Sequence, residues 1–116
     1  SPIIYGDGQQ SRDFTYVTNV VQANLLAMTT PGISGRVFNI ACGRQITINN
    51  LLSSLQKISN RQIAPQYAQP RSGEVRHSLA SIDQAKSHLG YAVKIGFEAG
   101  LQATWKRFQE KGRIPK

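Results

Sequence analysis

Gly6-Asp7-Gly8-Gln9-Gln10-Ser11-Arg12-Asp13-Phe14-Thr15-Tyr16-Val17 is the stretch around which the rest of the chain is organised. Two glycines within three residues permit positive φ and let the backbone approach a ligand closely. Arg12 follows, a fixed cation with five donors in a planar fork, suited to a phosphate or a base edge. Asp13 is placed to hold that guanidinium or to cap a turn of its own. Phe14 and Tyr16 lie two apart and share a face if the segment is extended. The stretch reads as an anion-facing loop entering an amphipathic element. The alternative is a surface hairpin with a solvated arginine.

Outward from this loop, Ile3 to Tyr5 is a short apolar strand. On the other side Thr18 or Asn19 can cap a helix running from Thr18 to Thr30, with Val20, Val21, Asn24, Leu25 and Met28 on one face, read as core, and Pro31-Gly32 ending it. Arg36 to Ala41 is the clearest strand, Val37, Asn39 and Ala41 alternating with Phe38 and Ile40 between Gly35 and Gly43. Cys42 reads as a small buried hydrophobe. Thr47 caps a second helix whose face carries Ile48, Leu51, Leu52, Leu55 and Ile58 and which ends near Ser59-Asn60. Gln62 to Tyr67 is a weak strand that Pro65 confines to an edge or a bulge.

A second polar loop follows, Pro70-Arg71-Ser72-Gly73-Glu74-Val75-Arg76-His77. An arginine there can clamp a phosphate, and a carboxylate three residues on can accept hydrogen bonds from vicinal hydroxyls. The alternative is a solvated loop. Ser81 can cap a short helix from Ile82 to Leu89, closed by Gly90. Phe97, Leu101, Thr104, Trp105 and Phe108 mark a last helix, Trp105 and Phe108 being core anchors or contacts for a partner domain. Gln109 to Lys116 is polar, basic and expected to fray. The pattern is an α/β (α+β) piece with few strands and about four helices.

The 116 residues suit one small domain, 40% hydrophobic and 17% charged. The formal charge of +8 implies attraction to something acidic, but the basic residues are scattered up to Lys106 and no basic run is interleaved with aromatics. A nucleic-acid face is therefore not signalled, and no window approaches a membrane span. Cys42 is the only cysteine, which excludes an internal disulfide and fits a reducing, cytoplasmic setting. His77 and His88 have no metal-ligand partner at a sensible spacing, and His77 reads as a loop hydrogen-bonder. No Ser-His-acid set, Gly-x-Gly-x-x-Gly, Walker loop or Tyr-x-x-x-Lys is present. The chain holds two anion clamps and no recognisable catalytic machine. Its start, Ser1-Pro2-Ile3, reads as the middle of a longer protein.

Together the loop of residues 6–17, Val37-Phe38-Asn39-Ile40-Ala41 and Arg71-Ser72-Gly73-Glu74-Val75-Arg76-His77-Ser78 resemble the C-terminal part of the extended short-chain dehydrogenase/reductase family. Within it they are most similar to the NAD-dependent UDP-glucose and UDP-N-acetylglucosamine 4-epimerases. The resemblance implies that residues 1–116 are a single C-terminal nucleotide-sugar-binding domain. An N-terminal Rossmann domain, absent from this chain, would bind NAD and carry the Tyr-x-x-x-Lys pair. It further implies UDP-sugar as ligand, the chain's own Rossmann domain as partner, a full-length homodimer and no activity in the piece alone. Carried over by position, Arg12 contacts the nucleotide near its diphosphate, Arg71 clamps the diphosphate, and Glu74, where many relatives have Asp, bonds the ribose hydroxyls. Asn19 and Ser81 also stand where Asp is common, and both are expected to remain helix caps. A dehydratase, decarboxylase or reductase of the same superfamily, or a small basic nucleic-acid-binding module, is the alternative.

Overall fold

The computed structural model describes residues 1–112, an α/β arrangement of four helices and four short strands. Strand β1 (Ile3–Tyr5) pairs in parallel with β4 (Gln66–Ala68), Ile4 lying opposite Tyr67. Strand β2 (Ser11–Arg12) pairs antiparallel with β3 (Ile46–Thr47), Ser11 opposite Thr47. A parallel pair needs a long crossover, and here it contains helices α1 (Val17–Thr29) and α2 (Ile48–Ser59). Helices α3 (Asp83–Leu89) and α4 (Phe97–Glu110) complete the chain.

Local chemistry explains both ends of α2 and the close of α3, whereas α3 takes Ile82 in its cap position and not the expected Ser81. The Thr47 hydroxyl accepts from the Asn50 amide at 3.1 Å and caps α2, which closes on Asn60 in the left-handed conformation. Helix α3 begins at Asp83, its amide 3.5 Å from the Ser81 hydroxyl, and ends at Gly90 with φ 67°. Its inner face joins Ala23, Ala41, Ile82, Ala85, Leu89 and Tyr91 into the core, where the Tyr91 hydroxyl donates to the Ala41 carbonyl at 2.8 Å. Helix α4 lies against residues 14–16. The rings of Phe14 and Phe97 are 5.8 Å apart, and a Cβ on Gly100 would stand 2.8 Å from Cβ of Tyr16, so only glycine fits that approach.

Four expectations are corrected. Helix α1 begins at Val17 with Tyr16 in the cap position, and no side chain caps it. Asn19 instead lies inside the helix at 0% exposure. Its Nδ2 donates to the Ile95 carbonyl at 2.7 Å, and its Oδ1 accepts from the amides of Lys94 and Ile95 at 3.0 and 3.1 Å. The side chain thus ties two segments together rather than capping the helix. Secondly, the face of Val20, Val21, Leu25 and Met28 is not core. It is exposed, Met28 at 80%, because α1 turns Ala23 and Leu26 to the core that α3 joins and Asn19 to residues 94 and 95. Thirdly, Arg36 to Ala41 forms no strand. The alternation is real, Phe38 and Ile40 packing on the core while Val37 is 91% exposed, but no described segment runs beside it to complete a ladder. Finally, Phe108 is exposed, and Trp105 is half-buried beneath the Arg61 guanidinium, 5.9 Å from the ring centre. The weak strand expected over Gln62–Tyr67 is the shorter β4. Cys42 is half-buried, and that burial raises its thiol pKa. Of the basic end, residues 113–116 lie outside the described residues.

Candidate functional site

The Gly6-Asp7-Gly8 turn leaves β1 and is held from three sides. An Asp7 carboxylate oxygen accepts from the Gln9 amide at 2.9 Å. The Gly8 carbonyl accepts from the Asn49 amide at 3.0 Å, and the Asn49 side chain donates to the Asp7 carbonyl at 3.1 Å. Tyr67, from β4, donates its hydroxyl to the same Asn49 side chain at 3.0 Å. Gly8 has φ 75°, and a Cβ there would collide with the Asn49 amide. Next in the chain, buried Gln10 donates from its side chain to the Tyr5 carbonyl at 2.8 Å and accepts from Ile48 N at 3.0 Å through its own carbonyl. The first turn of α2 thus sets the loop.

The second polar loop is brought alongside by an isolated parallel bridge between Ser11 and His77. Ser11 N donates to the Arg76 carbonyl at 2.9 Å, Ser78 N donates to the Ser11 carbonyl at 3.1 Å, and the Ser11 hydroxyl lies 2.7 Å from His77 Nδ1. His77 is therefore a loop hydrogen-bonder. Arg12 donates to the carbonyls of Ser11 and Arg76 at 2.6 and 3.3 Å, and its other nitrogen is 3.5 Å from a Glu74 carboxylate oxygen. Arg71 lays its guanidinium over Tyr5, 4.0 Å from the ring centre. Of the three residues singled out in sequence, Arg12 and Glu74 thus meet from loops some sixty residues apart, and Arg71 lies over Tyr5 in the same loop as Glu74. Asp13 does not hold Arg12. Its two oxygens accept from the amides of Cys42 and Gly43 at 3.0 and 2.8 Å, fixing the chain beyond Ala41.

Between the loops is an open cleft of about 510 Å³. Tyr5 and Tyr67 supply apolar wall, Arg71 and Glu74 supply charge, and Asp7 and Arg76 close one side. Arg76 grips both Asp7 oxygens, at 3.0 and 3.3 Å. That hydrogen-bonded pair holds the Asp7 carboxyl below its ordinary pKa and raises that of Arg76. Among the described residues no cluster of His, Cys, Asp and Glu could hold a metal ion. The cleft offers aromatic faces, cations and a hydroxyl acceptor. Those groups bind and orient an anionic, hydroxyl-bearing ligand, and none of them is a nucleophile beside a base.

Residues 1–41 match the model of the NAD dependent epimerase/dehydratase family. The fold is similar to that of the UDP-glucose 4-epimerase of Thermotoga maritima, solved with UDP-glucose. Identity is 40%, the TM-score is 0.90, and the match covers 96% of this chain and 35% of that one. Nearly the whole chain is thus similar to one part of a 4-epimerase. Other solved relatives agree. The UDP-N-acetylglucosamine 4-epimerase of Methanobrevibacter ruminantium, in complex with UDP-N-acetylmuramic acid, is 36% identical with a TM-score of 0.87 over 96% of this chain and 35% of its own. The UDP-glucuronic acid 4-epimerase of Bacillus cereus, in complex with UDP-glucuronic acid and NAD, is 31% identical with a TM-score of 0.88 over 96% and 36%. The chain spans about a third of the length of the relatives it matches.

The sequence has no Gly-x-Gly-x-x-Gly phosphate loop and no Tyr-x-x-x-Lys, so no residue of this chain is assigned to the cofactor. Sequence reasoning missed the Tyr5 ring, the Tyr67–Asn49 bond and the Asp7–Arg76 pair. The aromatic next to the glycine turn was a signal for the first. The other two join residues far apart in sequence and left no local trace. No helix of the described residues is long and apolar enough to cross a membrane.

Proposed function

We propose that residues 1–116 are the C-terminal nucleotide-sugar-binding domain of an NAD-dependent UDP-sugar 4-epimerase of the cytoplasm. NAD and the catalytic tyrosine and lysine would belong to an N-terminal Rossmann domain of the same protein. The sugar is UDP-N-acetylglucosamine or UDP-glucose. In this reading Arg71 and Arg12 bind the diphosphate and Glu74 accepts hydrogen bonds from the ribose hydroxyls, while Tyr5 and Tyr67 offer flat apolar wall. The observation that carries it is that Arg71 and Glu74 line one cleft, with Arg12, from a loop some sixty residues away, paired to Glu74 at its edge. Two cations for two phosphates and a carboxylate for a diol match the ligand group by group.

This chain's part in the reaction is then binding alone. Contacts made to the remote nucleotide fix the sugar's position, and fixed geometry is what lowers the barrier elsewhere in the protein. Redox chemistry at the sugar is the cofactor's. The exposed face of Val20, Val21, Leu25 and Met28 and the unpaired Val37 segment fit a surface that the Rossmann domain covers.

An amide-shift NMR titration with UDP tests the reading, with ADP and pyrophosphate as controls. Shifts confined to the neighbourhoods of Arg12 and of residues 71–74, larger for UDP, are expected. Diffuse shifts of equal size with all three anions would refute it and leave only a basic surface. Turnover of UDP-N-acetylglucosamine by the 116-residue chain alone would overturn the assignment of catalysis to another domain.

A further inference from the structure

The loop that carries Arg71 and Glu74 has little of its own to hold it. Residues 66–79 are exposed throughout, and between β4 and α3 the loop's one ladder contact is the bridge at His77. Besides the bonds of His77 and Ser78 to Ser11, the Arg12–Glu74 pair and the stacking of Arg71 on Tyr5, its attachments converge on Arg76. The Arg76 carbonyl receives both the Ser11 amide and the Arg12 guanidinium, while its side chain reaches Asp7 with two nitrogens. Asp7 is in turn fixed by the Gln9 amide and by Asn49 at its own carbonyl. Arg76 also lines the cleft beside Arg71, which makes it look like a second cation there for an anionic ligand. Its guanidinium is already engaged by both Asp7 oxygens, in the paired geometry that gives an exposed ion pair directional value.

Resting on the UDP-sugar reading above, we propose that Asp7 and Arg76 act as a positioning pair. Their double hydrogen bond pins the loop of residues 70–78 to the glycine turn and so presents Arg71 and Glu74 to the nucleotide, without either member touching the phosphates. The proposal makes a prediction of sign. Removing an anion from a cleft that binds an anion strengthens binding by Coulomb's law alone, and frees Arg76 to add a further cation. If the pair positions the loop, removing that anion weakens binding instead.

The experiment is calorimetric titration of UDP into the intact protein carrying Asp7→Asn, Arg76→Gln, both together, or Arg71→Gln. Exchange rates of the Ser78 amide are measured in parallel. Each single pair variant is expected to raise the Kd for UDP about three- to fivefold, the effect of losing one well-formed exposed pair. The double variant should be no weaker than either single one, since the second change removes nothing further. Ser78 exchange should quicken in all three. Tighter UDP binding by Asp7→Asn, or multiplied effects in the double variant, would overturn the proposal and make Arg76 a phosphate ligand. Arg71→Gln separates the two levels. If it weakens UDP binding while Asp7→Asn tightens it, only the positioning pair fails. If it leaves UDP binding unchanged, the nucleotide reading fails and the pair's role falls with it.

Discussion

Asn19→Ala tests the tie between α1 and the segment that leads into α4. The wild-type amide is at 0% exposure and makes three hydrogen bonds, two accepted from Lys94 and Ile95 and one donated to Ile95. Truncation removes all three at once. Lys94 is exposed and Ile95 half-buried, so water reaches part of what is left. Each lost bond then counts about 1 kcal/mol rather than a full desolvation penalty, giving about 3 kcal/mol. Alanine's better helix propensity returns roughly 0.5 kcal/mol. The net loss of about 2–3 kcal/mol corresponds to a fall in Tm of roughly 10–20 °C for a domain of this size. Thermal unfolding followed by circular dichroism measures the fall, and hydrogen exchange locates it, because the Lys94 and Ile95 amides should lose protection first. A Tm within about 2 °C of wild type, with both amides still protected, would refute the argument that this buried amide holds the two segments together.

Asp13→Ala leaves the Cys42 and Gly43 amides without their carboxylate and is expected to destabilise by about 2–4 kcal/mol in urea unfolding, since bonds to a charged acceptor are the stronger kind. Gly8→Ala forces a left-handed residue against the Asn49 side chain. About 2 kcal/mol of stability should go, and UDP affinity should fall with it. Thr47→Ala removes the cap of α2 at about 1 kcal/mol, read from the same unfolding curves. The Asp7 carboxyl titrates below its ordinary value because Arg76 bonds its charged form. A depressed carboxylate contributes its stabilisation fully above the unfolded-state value near ~4 and loses it as pH falls through the lower folded value. Loop protection at Ser78 should therefore be flat from pH 7 to about 5 and be lost only in acid; loss already between pH 7 and 6 would refute the assignment to Asp7.

Where local chemistry decides structure, the sequence was sufficient. Thr47 at the head of an apolar stripe, Gly90 after Leu89 and Ile3–Tyr5 before a glycine turn each behave as their residue types require. Arg12, Arg71 and Glu74 were legible as candidates because charged residues flanking glycine in polar loops have few structural reasons to be there. Two of the misreadings involve a missing neighbour. The stripe of Val20, Leu25 and Met28 and the alternation at residues 36–41 have the patterns of buried elements, yet a pattern states only that a surface is apolar, and the described residues do not cover it. Asn19 failed differently: an asparagine at a helix start is normally a cap, and only the arrival of Lys94 and Ile95 gives its amide a better use.

The long spans that build the cleft also dictate when it exists. Asp7 waits for Arg76, 69 residues later, Ser11 waits 66 residues for His77, and Asn19 waits 76 for Ile95. At cellular rates of synthesis the first of these delays is roughly 3–14 s. For most of it β1 has an open edge, since its partner strand among the described residues follows the second helix. Helix α2 can form within that interval, and with it the Gly8–Asn49 bond. The nascent chain thus passes through a period in which half the cleft is shaped and a bare strand edge is offered to any neighbour. A chaperone that recognises extended apolar segments would find Ile3–Tyr5 available until β4 emerges, and slowing translation between residues 12 and 66 would lengthen that exposure.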